Sequence, residues 1–256
     1  MLKRRFFDSN CNLGASLNPR LCQAKDVNAL YEVMDHSGVE KALVRYLNVD
    51  VGAVYGNEQL ARMLKDDYDH RLYGMWNILP ESCNELPKGE AFFDAMKENR
   101  IAAVRILPGF ERWVPARISI GSVMDALRER RIPTFIHRTA FTDDWNGLYN
   151  FLELFPDNIY ILGPGLGSLW GTERQLRPIM DTYKNVYLEI SNIWMPEAVG
   201  DFARDYGAKR ILYGSGYPDY TQGSMMAVVQ HLEIDEADKD LIASGNLERI
   251  ISEEVL

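Results

Sequence analysis

The sequence predicts an α/β fold, a single (β/α)8 TIM barrel with an extra C-terminal helix, on three observations. Eight short runs rich in Val, Ile, Leu, Phe and Tyr alternate without a break with helix-patterned segments, an order that calls for parallel strands joined by helical crossovers. The length of 256 residues matches the ~250 typical of one such barrel and is short for two domains. Eight β/α units also fit a closed barrel better than an open doubly wound sheet, which more often has about five to seven strands. No repeat beyond the β/α period and no low-complexity linker divides the chain, so residues 1–256 read as one domain.

The strands are expected at Arg5–Asn10, Lys41–Leu47, Leu72–Ile78, Ala102–Leu107, Pro133–Arg138, Ile159–Gly163, Val186–Ser191 and Arg210–Ser215. Helices are expected between them at Asp26–Ser37, Asn57–Asp69, Glu90–Asn99, Ser119–Arg130, Trp145–Phe155, Thr172–Tyr183, Pro196–Tyr206 and Gly223–His231. Asp26 opens the first, with Ala29, Leu30, Val33 and Met34 on one face. Ser119 is placed to cap the fourth, and Gly38, Asn99 and Gly207 fall where the helical period stops. Asp235–Ala243 reads as the extra helix, packed under or beside the barrel.

Composition narrows the function. A hydrophobic fraction of 46% with 11% aromatic residues supplies one large core. A net charge of -9 argues against nucleic acid or an anionic membrane as the main partner. The acidic excess is spread over helices, as solubility requires. Cys11, Cys22 and Cys83 are an odd number without paired spacing, which suggests reduced thiols and a cytoplasmic protein. Met1–Phe7 has no apolar run suited to a signal peptide, and no stretch of ~18 apolar residues predicts a membrane span.

In such a barrel the site gathers where strands run into helices, so the strand ends supply the candidates. The first carries Asp8, Asn10 and Asn12, which strict alternation puts on one side, with Cys11 opposite. His137 ends the fifth strand and is the best single candidate for chemistry, since imidazole can be an acid or base near neutral pH. Glu189 and Asp219, at the ends of strands seven and eight, are candidates to orient it and share the catalysis. Arg45, Arg105 and Arg138 lie within or at the ends of strands covered by helices, so their charge reaches solvent most easily through the mouth. There a guanidinium suits a carboxylate or phosphate, or ties loops by pairing with a rim acid. Trp76, Trp113, Trp145, Trp170, Trp194, Tyr213 and Tyr217 sit at or after strand ends, either as walls of a small-molecule site, Trp194 and Tyr217 foremost, or as loop packing. His36, His70 and His231 fall on helices or their ends. Gly163–Gly167 has only a superficial likeness to a phosphate-cradling turn, and no Ser-His-Asp elbow, P-loop or Gly-x-Gly-x-x-Gly occurs.

The order and spacing of Pro133–His137, Phe155-Pro156-Asp157, Gly214-Ser215-Gly216-Tyr217-Pro218 and Ser244-Gly245-Asn246-Leu247-Glu248-Arg249 resemble the amidohydrolase superfamily, in its amidohydrolase-2 branch of small-acid decarboxylases and lactonases. The resemblance covers essentially the whole chain. It implies a metal-organising set of which His137 alone remains: Asn10 and Asn12 stand for the strand-one histidines, Pro164 or Gly165 for the strand-six histidine, and Gly216 for the strand-eight aspartate. Asparagine offers one neutral oxygen and little affinity for zinc. The expectation is therefore a degenerate metal site, no cofactor, and a metal-independent hydrolase or lyase. Its partner would be a small anionic organic molecule, carboxylated and aromatic or a lactone, bound by Asn10, Asn12, Arg45, Arg105, Arg138, Trp194 and Tyr217. A homodimer is implied by the resemblance alone. Two alternatives stand beside this reading. One is a pseudoenzyme that binds a small anion or a protein partner. The other is a metal-dependent hydrolase or decarboxylase holding zinc or another divalent ion, weakly or on rearranged ligands such as Asp8, His137 and Asp219.

Overall fold

Eight parallel strands, in the order β1 to β8, form one sheet that closes on itself. The computed structural model describes residues 4–15, 24–47, 52–141, 144–163, 173–193 and 197–256. The strands are β1 (Phe6–Leu13), β2 (Val39–Tyr46), β3 (Leu72–Asn77), β4 (Ile101–Ile106), β5 (Thr134–His137), β6 (Tyr160–Gly163), β7 (Val186–Glu189) and β8 (Ile211–Leu212). Closure between the first and last is made by Ser9 N–H donating to Tyr213 O at 3.0 Å, Gly216 N–H to Asn10 O at 2.8 Å and Asn12 N–H to Tyr217 O at 3.0 Å.

Helices α1 (Val27–Ser37), α2 (Ala53–Leu64), α3 (Glu90–Glu98), α5 (Arg117–Glu129), α6 (Trp145–Leu154), α7 (Glu173–Thr182) and α8 (Ala198–Tyr206) are the crossovers, with a short extra turn α4 (Pro108–Glu111) after β4, and α9 (Gln222–His231) follows β8. Local chemistry sets their ends. Asp26 caps α1, its carboxylate accepting from Ala29 N at 2.9 Å, and Gly38 ends it with φ 87, a left-handed turn that glycine adopts without a Cβ penalty. The α5 helix begins two residues before the expected Ser119, which lies instead in its first turn and accepts from Ala116 N at 3.3 Å. The α2 helix starts four residues early and stops at Leu64; His70 lies beyond it with φ 54. The largest difference among strands is β8, two residues long where Arg210–Ser215 was expected. From Tyr213 onward the chain bonds to β1 and to the C-terminal segment, as in Tyr213 N–H to Ile242 O at 2.8 Å.

Alternation sorts the strand residues into two cores. Inward-facing Phe7, Leu43, Met75, Ala103, Phe135, Ile161 and Leu212 fill the barrel, and the outward set packs against the helices. Burying each of these side chains contributes ~1.5–3 kcal/mol. The C-terminal segment α10 (Glu236–Asp240), a π turn (Leu241–Gly245) and α11 (Asn246–Ser252) run past the expected Ala243 and stopper the N-terminal end of the barrel, adding Leu247 and Ile250 to the interior cluster. Asn246 fastens this stopper by donating to Ala208 O and Ile211 O, both at 2.8 Å. Among the described residues no helix is long and apolar enough to cross a membrane.

Candidate functional site

One layer above the interior apolar ring, the same alternation brings Arg45 (two residues after Leu43), Asn77 (after Met75), Arg105 (after Ala103), His137 (after Phe135), Gly163 (after Ile161), Glu189 (after Tyr187) and Gly214 (after Leu212) to the C-terminal mouth. On β1 the alternation is broken. The β1–β2 register shifts between Asp8 and Cys11, so Asn10 joins this layer while Cys11 belongs to the outer core.

Asp8, in register with outward-facing Ala42, is consequently on the other side from Asn10 and from Asn12, which is in register with Arg45, against the expectation that the three share a side. Its buried carboxylate is a latch for the β1–β8 seam. It accepts from Ser215 N at 2.8 Å, Ser215 Oγ, Asn10 N at 3.1 Å and, more loosely, Gln222 Nε2 at 3.4 Å. Burial pushes its pKa up, with the Ser215 and other donors pulling the opposite way. Asn12 braces the same seam, donating from Nδ2 to Tyr217 O at 2.6 Å, and the Tyr217 ring is buried in the outer core. Burial also pushes the Cys11 thiol well up, which makes it a poor nucleophile.

Glu189 is the central acid of the mouth. It is 1% exposed and accepts from Ser191 N, from Ser191 Oγ at 2.8 Å and from Asn10 Nδ2 at 3.1 Å; Asn10 Nδ2 also reaches Ser191 Oγ at 2.9 Å. Two glycines leave room for its carboxylate. A Cβ at Gly214 would lie 1.9 Å from Oε1, and one at Gly163 would lie 2.9 Å from Oε2. Burial, reinforced by the Asp8 charge and opposed by the Ser191 and Asn10 bonds, raises the Glu189 pKa to about 7.

Arg45 completes the arrangement. Its Nη1 donates to Asn10 Oδ1, and its guanidinium lies 5.7 Å from the centre of the Phe135 ring, within cation–π range. Burial pulls its pKa down, while the charges of Glu189, Cys11, Asp219 and Asp8 push it back up. Arg105, 5% exposed, is more deeply committed. Its Nε–H has no hydrogen-bond partner among the described residues. Burial, then the Arg45 charge, pulls its pKa well below the usual arginine range, and the half-buried Glu111 gives the opposing attraction.

His137 is half-buried at the end of β5, paired in register with Gly163, so it flanks Glu189 across the side-chain-free β6 position. Asp219 is exposed in the turn after β8 and reaches the site electrostatically, through Arg45. The Arg138 side chain, Trp194, Trp170, Cys22 and 164–167 of the glycine-rich turn lie outside the described residues. Of the other aromatics, Trp76 turns outward to Phe92 on α3, with centroids 5.9 Å apart, and Tyr213 turns outward to Phe6 at 4.9 Å; both pack the barrel wall. Sequence reasoning did not find Ser191, Ser215 or Gln222. Ser191 and Ser215 are the last residues of the expected seventh and eighth strands, but a serine among polar neighbours carries no distinct signal. Gln222 opens a helix, which a filter on strand ends passes over.

The family whose pattern matches the chain is Amidohydrolase, over residues 23–251. Among solved structures it is similar to a TIM-barrel protein from Bordetella bronchiseptica, at 18% identity and TM-score 0.74 over 97% of this chain and 99% of that one. It is similar also to 2,6-dihydroxybenzoate decarboxylase from Rhizobium, at 13% identity and TM-score 0.68 over 98% and 99% of the two chains. A dihydroxybenzoic acid decarboxylase from Polaromonas, which holds manganese and the inhibitor 2-nitroresorcinol, matches at 14% identity and TM-score 0.68 over 97% of each chain. These likenesses establish the barrel fold. No curated protein sequence matches.

Proposed function

The chain belongs to the amidohydrolase family, and from that premise we propose that it is a metal-independent hydrolase or lyase acting on a small carboxylated organic molecule at the barrel mouth. The observation that carries this reading is Glu189: a buried carboxyl with its pKa raised to about 7, linked through the Asn10 amide to the buried guanidinium of Arg45. A group poised near the working pH can both hold and release a proton there.

The described residues do not suit a divalent metal. No group of three or more His, Cys, Asp or Glu among them could hold one. The carbonyl oxygen of Asn10 already accepts from Arg45, and its amide nitrogen faces Glu189 and Ser191. Asn12 turns its own nitrogen to Tyr217 O. Gly216 has φ 68, and a Cβ there would meet the Tyr220 ring at 2.9 Å and Ser191 Cβ at 3.3 Å, so the backbone at that position is shaped for glycine and disfavours an aspartate.

Each group then has a task. Arg45 and Arg105 hold the substrate carboxylate, and Phe135 beneath Arg45 is the apolar floor. Glu189 moves the proton, and His137 beside it takes or returns one near neutral pH. In the lyase form, the bond from carbon to the carboxylate breaks, its electron pair stays on carbon, that carbon takes the Glu189 proton, and carbon dioxide leaves. In the hydrolase form, ionised Glu189 takes a proton from the attacking water, whose oxygen bonds to the acyl carbon as the bond from that carbon to the leaving oxygen or nitrogen breaks, and Glu189 returns the proton to the leaving atom. Several similar barrels are decarboxylases of hydroxylated benzoates, which favours testing aromatic acids first. The test is turnover of a panel of aromatic acids and lactones by metal-stripped protein, with metal content read by plasma mass spectrometry. Turnover that survives chelation and falls about 10²–10⁴-fold in Glu189→Gln is expected. Stoichiometric retained metal, or an unaffected Glu189→Gln enzyme, would overturn the proposal.

A further inference from the structure

Charge at the mouth is unevenly answered. Arg45 is linked through Asn10 to Glu189, and Asp8 is saturated by Ser215, Asn10 N and Gln222. Arg105 has no such answer. It pairs in register with Asn77 on one side and Phe135 on the other, neither of which carries charge. Its nearest charged influences are Arg45, which repels it, and half-buried Glu111. Its buried Nε–H has no partner among the described residues. An arginine stays charged in a protein, and an unanswered buried donor is costly. Among the described residues Arg105 is thus a buried cation with an unanswered donor at a defined atom, on the face of β4 that alternation turns inward.

We infer that the site selects ligands with a single carboxylate, seated on Arg105, and rejects dicarboxylates and neutral amides of the same shape. The inference rests on the reading of the mouth as a carboxylate site and deepens it by assigning the charge. One carboxylate gives Arg105 its missing acceptor and a counter-charge. A second would face Glu189, a buried acid of the same layer, with Arg45 and Arg105 both engaged by the first. A neutral amide would offer Arg105 one carbonyl oxygen but no charge, and its NH2 group stands where a carboxylate has its second acceptor. Glu189 therefore acts in selection through its charge, separately from any proton it moves.

The experiment is calorimetric titration of the full chain with benzoate, isophthalate and benzamide, in the wild type, Arg105→Lys, Arg105→Met and Glu189→Gln, each checked by circular dichroism. Benzoate is expected to bind about tenfold or more tightly than either competitor. Arg105→Met should lose that preference and Arg105→Lys should keep part of it. In Glu189→Gln the penalty against isophthalate should shrink while benzamide stays weak, an outcome that a merely structural role for Glu189 would not produce. Equal wild-type affinity for benzoate and isophthalate overturns the inference, as does no saturable binding of benzoate or an unchanged preference in Arg105→Lys. The wild-type comparison stands even where Arg105→Met does not fold. Selective binding of benzoate with no turnover of any acid would sink the proposed activity and leave the inference standing; efficient turnover of a dicarboxylate would do the reverse.

Discussion

Arg45 and Glu189 are joined through a single amide: the guanidinium donates to Asn10 Oδ1, and Asn10 Nδ2 donates to Glu189 Oε2 at 3.1 Å. The link explains why asparagine suits this position. Its side chain presents an acceptor to the cation and a donor to the anion at once. An aspartate would answer Arg45 but offer no proton to Glu189. The bridge keeps the opposite charges apart, so the carboxyl is hydrogen-bonded without a direct ion pair to hold its pKa low.

Replacing Asn10 by leucine keeps the branched shape and removes both bonds. It leaves a buried guanidinium and a buried carboxyl short of partners, a defect that costs about 3–5 kcal/mol. The expected result is a urea midpoint lowered by that free energy divided by the slope, with the slope unchanged. Asn10→Asp should be milder, because it pairs Arg45 directly. A leucine variant as stable as the wild type would mean that the link is idle.

The Glu189 carboxyl predicts a pH dependence of stability. Its folded pKa, about 7, lies above the ordinary glutamate value of ~4.3. Between those values the folded state holds a proton that the unfolded state has lost. Stability from this group is therefore full below ~4.3, falls as pH rises to about 7, and is flat above, a loss of ~4 kcal/mol in all. The test is the difference in unfolding free energy between wild type and Glu189→Gln from pH 4.5 to 8. The wild type should lose stability relative to the glutamine variant over that window, and parallel profiles would contradict it.

Gly214 predicts a catalytic defect from a residue with no functional group. A Cβ there would lie 1.9 Å from Glu189 Oε1 and 2.6 Å from Cδ, so Gly214→Ala must move the carboxylate off its Ser191 and Asn10 bonds. Overpacking of this kind costs about 1–3 kcal/mol, which leaves the barrel folded. Once a substrate is in hand, kcat should fall about 10²-fold, as 1 Å misplacements do, with circular dichroism unchanged. Full activity in Gly214→Ala would show that the position of Glu189 is not critical.

Much of this was legible in the sequence. Period-two alternation on β2, β4, β5 and β7 suffices to bring Arg45, Arg105, His137 and Glu189 to one layer, because those strands run without irregularity from an apolar inner residue to the polar one two places on. β1 was misread for the opposite reason. Its register shift between Asp8 and Cys11 inserts a change of parity that no residue type in Asp8-Ser9-Asn10-Cys11 announces, so Asp8 went to the seam instead of the pocket. The shortness of β8 was hidden too: Tyr213–Ser215 reads as strand, yet its backbone is claimed by β1 and by the C-terminal turn, both distant in sequence. Gln222 escaped because its role depends on where α9 begins relative to Asp8, a tertiary fact.

The opposite end of the barrel supplies a prediction about stability alone. Asp67, beyond α2, has a fully buried side chain that accepts from Arg100 Nη2 at 2.6 Å, from the Tyr31 hydroxyl, and from Arg71 N and Leu72 N at 3.1 Å each. It ties α1, the start of β3 and the turn before β4 together on the N-terminal face, where TIM barrels keep determinants of stability, not of chemistry. Asp67→Ala leaves Arg100 and two backbone donors without their acceptor, so the melting transition should drop by the equivalent of about 3–5 kcal/mol. Asp67→Asn, which retains one acceptor oxygen, should lose less. Benzoate affinity per folded molecule should match the wild type in both variants, because the site at the mouth draws its geometry from the other ends of the strands. A change in affinity without a change in melting would show that the two faces are coupled and that the division of labour along the barrel axis does not hold here.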